Sequence, residues 1–241
     1  MIKINPLIKN IAPDDLRQVC SFTTRNDRLG ELTTSTRIYN DGFNRLITEI
    51  RNPMGKRLGH EIFSIDKEHQ TMYGFYIEVE PEYRSSYMKG YRFGEIMRLS
   101  SIITMLENNI RQFDILSKNT AVYFHSRYKF IPNIIGFDDR NNMLKSIVQN
   151  GGDFVIDLTK RAIELLERIS KNPQATEQRA MVGETNTIAK DYIARVLEKH
   201  EEKKHPFIGT VDMQLTAENI TENRDFFNTL FQRHGIDYLI K

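Results

Sequence analysis

The run TMYGFYIEVEPEYRSSYMKGYRFGEIMRLSSIITMLENN, residues 71–109, changes its period part-way along, and that change decides the fold. Its opening alternates as a strand does: Tyr73, Phe75, Ile77 and Val79 fall on one face, and Met72, Gly74, Tyr76, Glu78 and Glu80 on the other. Further on, Phe93, Ile96, Met97, Leu99, Ile103 and Leu106 recur at near-helical spacing, which predicts a helix over residues 90–109. A strand therefore ends near Glu80 and passes through a polar loop into a helix that begins near Gly90.

Upstream, FNRLITEI and RLGHEIFSI are bounded by Asn52-Pro53-Met54-Gly55-Lys56 and Asp66-Lys67-Glu68, so residues 43–80 read as an antiparallel meander of three strands. Earlier still, Pro13-Asp14-Asp15 ahead of Leu16, Val19 and Cys20 predicts a short helix over residues 13–25. Downstream, FDILS at 113–117 reads as a strand, and strand, helix, strand implies a right-handed crossover and a parallel pair. AVYFHSRYKF follows as a helix that reverses before Pro132.

Beyond Pro132 the pattern becomes helical, near 138–149, over 157–171, and in a long helix to about 203 that carries Ile188, Tyr192, Ile193, Val196 and Leu197 on one stripe. FIGTVDMQL then reads as a strand, 219–234 as a helix and Ile236 to Ile240 as a last strand. The expected fold class is α/β (α+β): a mixed, mostly antiparallel central sheet flanked by helices. Residues 1–135 would form one domain and 136–241 a mainly helical extension that returns to the sheet at 206–241.

A chain of 241 residues, 39% hydrophobic, buries a good-sized core. With 34 basic against 32 acidic residues, the net charge of +2 gives no bulk case for nucleic acid or anionic lipid. The single cysteine, Cys20, excludes an internal disulfide and a thiol cluster for zinc, so a reducing compartment is expected. MIKINPLIKNIAPDD lacks an apolar leader, and no apolar run approaches the ~18 residues a bilayer span needs; the expectation is a cytoplasmic protein with no membrane partner.

Val79-Glu80-Pro81-Glu82-Tyr83-Arg84 resembles the V-x-P-E-Y-R that ends the fourth strand of the GCN5-related N-acetyltransferase (GNAT) superfamily. Ala121, Phe124, His125 and Phe130 are similar to that family's A-x-x-F-Y-x-x-x-G-F helix, and the two matches are separated by the strand and helix such a fold requires. The resemblance covers residues 43–131 and implies a divergent, GNAT-like acyltransferase that moves an acyl group from acetyl-CoA, another acyl-CoA or an acyl-carrier-protein thioester to an amine by direct attack. It implies that the backbone at Val79 polarises the thioester carbonyl. Arg84, Ser85, Ser86, Lys89 and Gly90 would meet the pyrophosphate beside the helix N-terminus, with Asn119 also near the cofactor. No metal is implied.

The sequence departs from the family where glycines would follow the arginine, since Tyr87 and Lys89 stand there and Gly90 and Gly94 come later. Lys129 occupies another glycine position, so the turn before Phe130 is expected to differ. His125 takes the place of the tyrosine that protonates the departing thiolate, with Tyr123 as an alternative acid and a half-buried helix histidine as the plain reading. Glu78 or Glu80 is the candidate base, against a reading as solvated carboxylates; His60, His69, His200, His205 and His234 show no metal spacing and read as surface. The acceptor would be a small-molecule or protein amine, and the extension would shape the acceptor site, cover the cleft or pair two copies as a homodimer. The rival is a GNAT-shaped protein-binding module without cofactor.

Overall fold

The computed structural model describes residues 1–4, 18–39, 45–84, 92–171 and 175–241. The expected positions Ser85, Ser86, Lys89 and Gly90 lie outside the described residues. The described chain contains nine strands and seven α-helices, an α/β (α+β) fold, and divides into two compact units: residues 1–114 with 216–241, and residues 115–215.

In the first unit, β1 (Lys3–Ile4), β2 (Gln18–Asn26), β3 (Gly30–Tyr39), β4 (Arg45–Arg51), β5 (Arg57–Asp66) and β6 (Thr71–Val79) pair antiparallel, each with the next. The three strands expected over 43–80 are β4, β5 and β6. The helix expected over 13–25 is not formed where the chain is described: Gln18–Asn26 is a strand. Its Val19, Cys20, Ser21 and Phe22 are all buried, and the β-branched Thr23, Thr24, Thr33, Thr34 and Thr36 of this hairpin favour the pleated state. The strict alternation expected in β6 also fails. The register slips between Ile62 and Phe63 of β5, so Phe75 is an extra, bulged residue, and Tyr73, Phe75 and Tyr76 are all exposed.

A 3-10 turn at Pro81–Tyr83 follows β6, and α1 (Phe93–Glu107) then lies across β2 to β6. Its face is set by burial of Phe93, Ile96, Met97, Leu99, Ile102 and Ile103. Beneath it are two polar anchors: Thr36 Oγ1 shares hydrogen bonds with Thr48 Oγ1 (2.6 Å) and Ser100 Oγ (3.0 Å), and Arg98 pairs with Glu61 at 2.8 Å. β7 (Gln112–Lys118) follows.

The expected helix over 219–234 is two, α6 (Ala217–Glu222) and α7 (Arg224–Arg233), broken at Asn223, whose side-chain amide donates to the carbonyl of Asn219. Ile236 to Ile240 form no strand. Asn228 holds that tail instead, its amide bonded to the Ile240 carbonyl at 3.1 Å and its oxygen accepting from the Ile240 N–H at 2.9 Å.

In the second unit, α2 (Ala121–Arg127) precedes β8 (Ile131–Pro132), which pairs antiparallel with β9 (Thr210–Thr216). Between them come α3 (Phe137–Gln149), α4 (Ile156–Lys171) and α5 (Ala175–Lys199), which pack on one another. The α5 stripe of Ile188, Tyr192, Ile193 and Val196 is buried in this packing.

Candidate functional site

α1 covers one face of the six-stranded array; the other carries the candidate Glu78 among a group of paired charges. Register aligns Ser35, Glu49, His60 and Glu78 in one cross-strand row, flanked by the row Arg37, Ile47, Ile62 and Tyr76. Charges in this region are mutually saturated. Glu49, 4% exposed, receives Arg37 at 2.8 Å and Arg51 at 3.1 Å, and Arg57 lies 3.8 Å away. Arg57 Nε also reaches Glu80 at 2.7 Å, while Glu78 is held by Arg84 and by the Tyr76 hydroxyl. The candidate bases Glu78 and Glu80 are thus each already engaged by a guanidinium.

His60 lies within this row and was read from sequence as surface. Its ring sits 5.2 Å from that of Tyr76, and its Nδ1 is buried with no hydrogen-bond partner among the described residues. Burial, then the charge of Arg57, holds its pKa below the ordinary value, so the imidazole is neutral at pH 7. The signal was the opposition of His60 to Glu78, which needs the strand register and cannot be read from spacing alone.

At the end of β6, the amide of Glu80 donates to the Leu58 carbonyl at 2.9 Å. Alternate residues of an antiparallel strand bond to opposite sides, so Val79 directs its amide and carbonyl away from β5. The Arg84 Nε donates to that carbonyl at 2.5 Å. Tyr83 packs edge-on against Phe93, ring centroids 5.9 Å apart, which places the turn beside the first residue of α1. Arg92, the residue capping α1, has φ +49°, the left-handed conformation that glycine favours, and Gly94 is the second helical residue. The first turn of α1 also contains Glu95, whose carboxylate receives His234 Nε2 at 2.5 Å and lies 3.7 Å from both Arg92 and Arg233.

Asn119, Tyr123 and His125 belong to the second unit, whereas Glu78, Val79, Glu80 and Arg84 belong to the first. Asn119 adopts φ +52° just before α2. Tyr123 is 1% exposed and donates its hydroxyl to the His205 carbonyl at 2.7 Å; burial raises its pKa strongly, so its proton is held. His125 is buried, its ring edge-on to Phe124 and Phe130 at 5.1 and 5.7 Å. In the turn before Phe130, Lys129 adopts φ +66°, the left-handed conformation that glycine favours, and its amide donates to the Ser126 carbonyl at 3.0 Å.

Among the described residues no cluster of three or more histidines, cysteines or acids could hold a metal, and no helix is long and apolar enough to cross a membrane. No protein-family model matches the chain, and no curated protein is similar to it. Solved structures similar to it include a Klebsiella pneumoniae protein described as an acyl-CoA N-acyltransferase (13% identity, 36% of this chain, TM-score 0.32). Nourseothricin acetyltransferase (17%, 46%, 0.33) and the Vibrio cholerae spermidine N-acetyltransferase (13%, 38%, 0.32) are others. The matched part spans 59%, 72% and 52% of those three chains.

Proposed function

We propose that the chain is a divergent acyltransferase that passes an acyl group from an acyl-CoA, or an acyl-carrier-protein thioester, to an amine. One observation carries this reading: the carbonyl and amide of Val79 stand clear of β5 beside the start of α1, with Arg84 folded onto the carbonyl. A strand end of this kind offers main-chain groups to a pantetheine chain and its thioester. The α1 first-turn amides and the exposed guanidiniums of Arg84 and Arg92 suit its phosphates.

In the reaction the amine nitrogen bonds to the acyl carbon, the carbon–sulfur bond breaks, and the electron pair leaves on sulfur as a thiolate that takes up a proton. The amine must lose a proton before or during attack. Neutral His60 is better suited to accept it than Glu78 or Glu80, which are engaged by arginines. His125 keeps the role of acid that the resemblance gives it. Tyr123 is set aside because its proton is committed to His205.

The pairing of Glu78 with Arg84 and of Glu80 with Arg57 favours a second reading, a binding module that has lost its cofactor. Calorimetric titration with acetyl-CoA, longer acyl-CoAs and acyl-carrier protein, repeated on Arg84→Glu, separates the two. Binding that Arg84→Glu abolishes supports transfer; failure of every thioester to bind leaves the non-catalytic module.

A further inference from the structure

A cleft of about 410 Å³ lies in the first unit between the β2–β3 hairpin and the end of α7, lined by Thr23, Thr24, Arg25, Glu31, Arg233 and His234, with Gln232 and Gly235 completing the wall. Its volume is in the range that holds a small metabolite. The chemistry of the wall is cationic and donor-rich. The Arg25 side chain has no ion pair or hydrogen bond among the described residues, although its cross-strand neighbour is Glu31. Thr24 is 4% exposed, yet its hydroxyl has no partner among the described residues. A buried hydroxyl without an acceptor costs about 1–3 kcal/mol, a cost that a bound acceptor relieves once it reaches that hydroxyl.

The floor of the cleft is tied to α1. Glu95 gathers His234, Arg233 and Arg92 around one carboxylate, so the last residue of α7 and the one that caps it meet the first turn of the helix that starts the candidate cofactor site. The wall holds two arginines (Arg25 and Arg233) against one carboxylate (Glu31), an excess of positive charge that Glu95, 3.7 Å from Arg233, offsets in part. On its other side β2 pairs with β1 only through Cys20 and Ser21, so no described strand covers its edge at Thr23 to Arg25.

We infer that this cleft binds a phosphate-bearing small molecule, with Arg25 and Arg233 as its charge partners and Glu95 as the residue that positions Arg233 and His234. Planar guanidiniums and a hydroxyl suit the tetrahedral oxygens of a phosphate monoester. A free nucleotide and the nucleotide end of CoA both present such a phosphate; only the second source rests on the acyltransferase reading.

The test is calorimetric titration of the full chain with inorganic phosphate, adenosine 3′,5′-bisphosphate and CoA, repeated on Arg25→Ala, Arg233→Ala and Glu31→Gln. The inference expects bisphosphate binding that weakens roughly tenfold with each arginine removed, tightens in Glu31→Gln and falls with added salt. Loss of CoA binding in parallel assigns the cleft to the thioester carrier, and bisphosphate binding without CoA binding assigns it to a free nucleotide while the acyltransferase reading fails. CoA binding that neither arginine variant changes overturns the cleft and leaves the acyltransferase reading standing. No binding of bisphosphate or phosphate to a chain whose circular dichroism is native overturns it as well.

Discussion

The Arg84 guanidinium donates through Nε to the carbonyl of Val79, five residues back along the same turn, and through its terminal nitrogen to Glu78. This side chain therefore closes the end of β6 and fixes where the chain turns toward α1. Lysine keeps the charge but not the two-pronged geometry. Arg84→Lys should bind acyl-CoA roughly tenfold more weakly while its unfolding midpoint in urea stays close to the parent, because an exposed ion pair contributes at most about 1 kcal/mol. An unchanged affinity would show that the guanidinium geometry is not used.

Gly59 sits opposite Val79, and a methyl group there would lie 2.7 Å from the Glu78 carbonyl oxygen and 2.9 Å from the end of Met97. Met97 can shift, but the strand backbone cannot do so cheaply. Gly59→Ala should cost about 1–3 kcal/mol of stability, read by urea denaturation, and should weaken thioester binding by displacing the end of β6. Full retention of both would mean that β5 and β6 yield easily here.

Tyr123 and His125 make opposite predictions. Tyr123→Phe removes the donor to the His205 carbonyl, next to the Tyr192 hydroxyl that bonds His205 Nδ1 at 2.7 Å, and should destabilise by about 1–3 kcal/mol with the transfer rate per folded molecule retained. His125→Ala should lower that rate by about 10²-fold or more. A rate lost in Tyr123→Phe and kept in His125→Ala would reverse the assignment.

His60 predicts a pH dependence. Its folded pKa lies below the ordinary value of 6.5, because burial and Arg57 disfavour the imidazolium. The unfolded chain therefore takes up the proton first. The stability this group contributes is present above pH 6.5 and is lost as pH falls through the folded pKa. Comparison of urea midpoints near about pH 7.5 and about pH 5.5 should show a decline on acidification that is shallower in His60→Gln. Equal slopes in the two proteins would remove His60 from the account.

The parts legible in the sequence are those set by local pattern. Turn residues at 52–56 and 66–68 delimit β4, β5 and β6; the spacing from Phe93 to Leu106 gives α1, and the stripes in α4 and α5 give those helices. The same local logic failed at Val19 and Cys20, where apolar neighbours suited either period and only pairing with β1 and β3 chose the strand. It failed again at Ile236 to Ile240, an apolar run that finds Asn228 rather than a strand partner.

By itself the sequence determined the order of elements from β4 to α2 and the turn at Val79 to Arg84, because periodicity and turn chemistry act over a few residues. Tertiary structure alone decided that His60 stands opposite Glu78, that Arg57 and Arg84 occupy the carboxylates, that Lys129 takes a glycine-like conformation, and that Glu95 meets His234. Each of these depends on register, on a backbone angle or on the approach of residues distant in the chain, and burial of the common core rather than local propensity fixes such quantities.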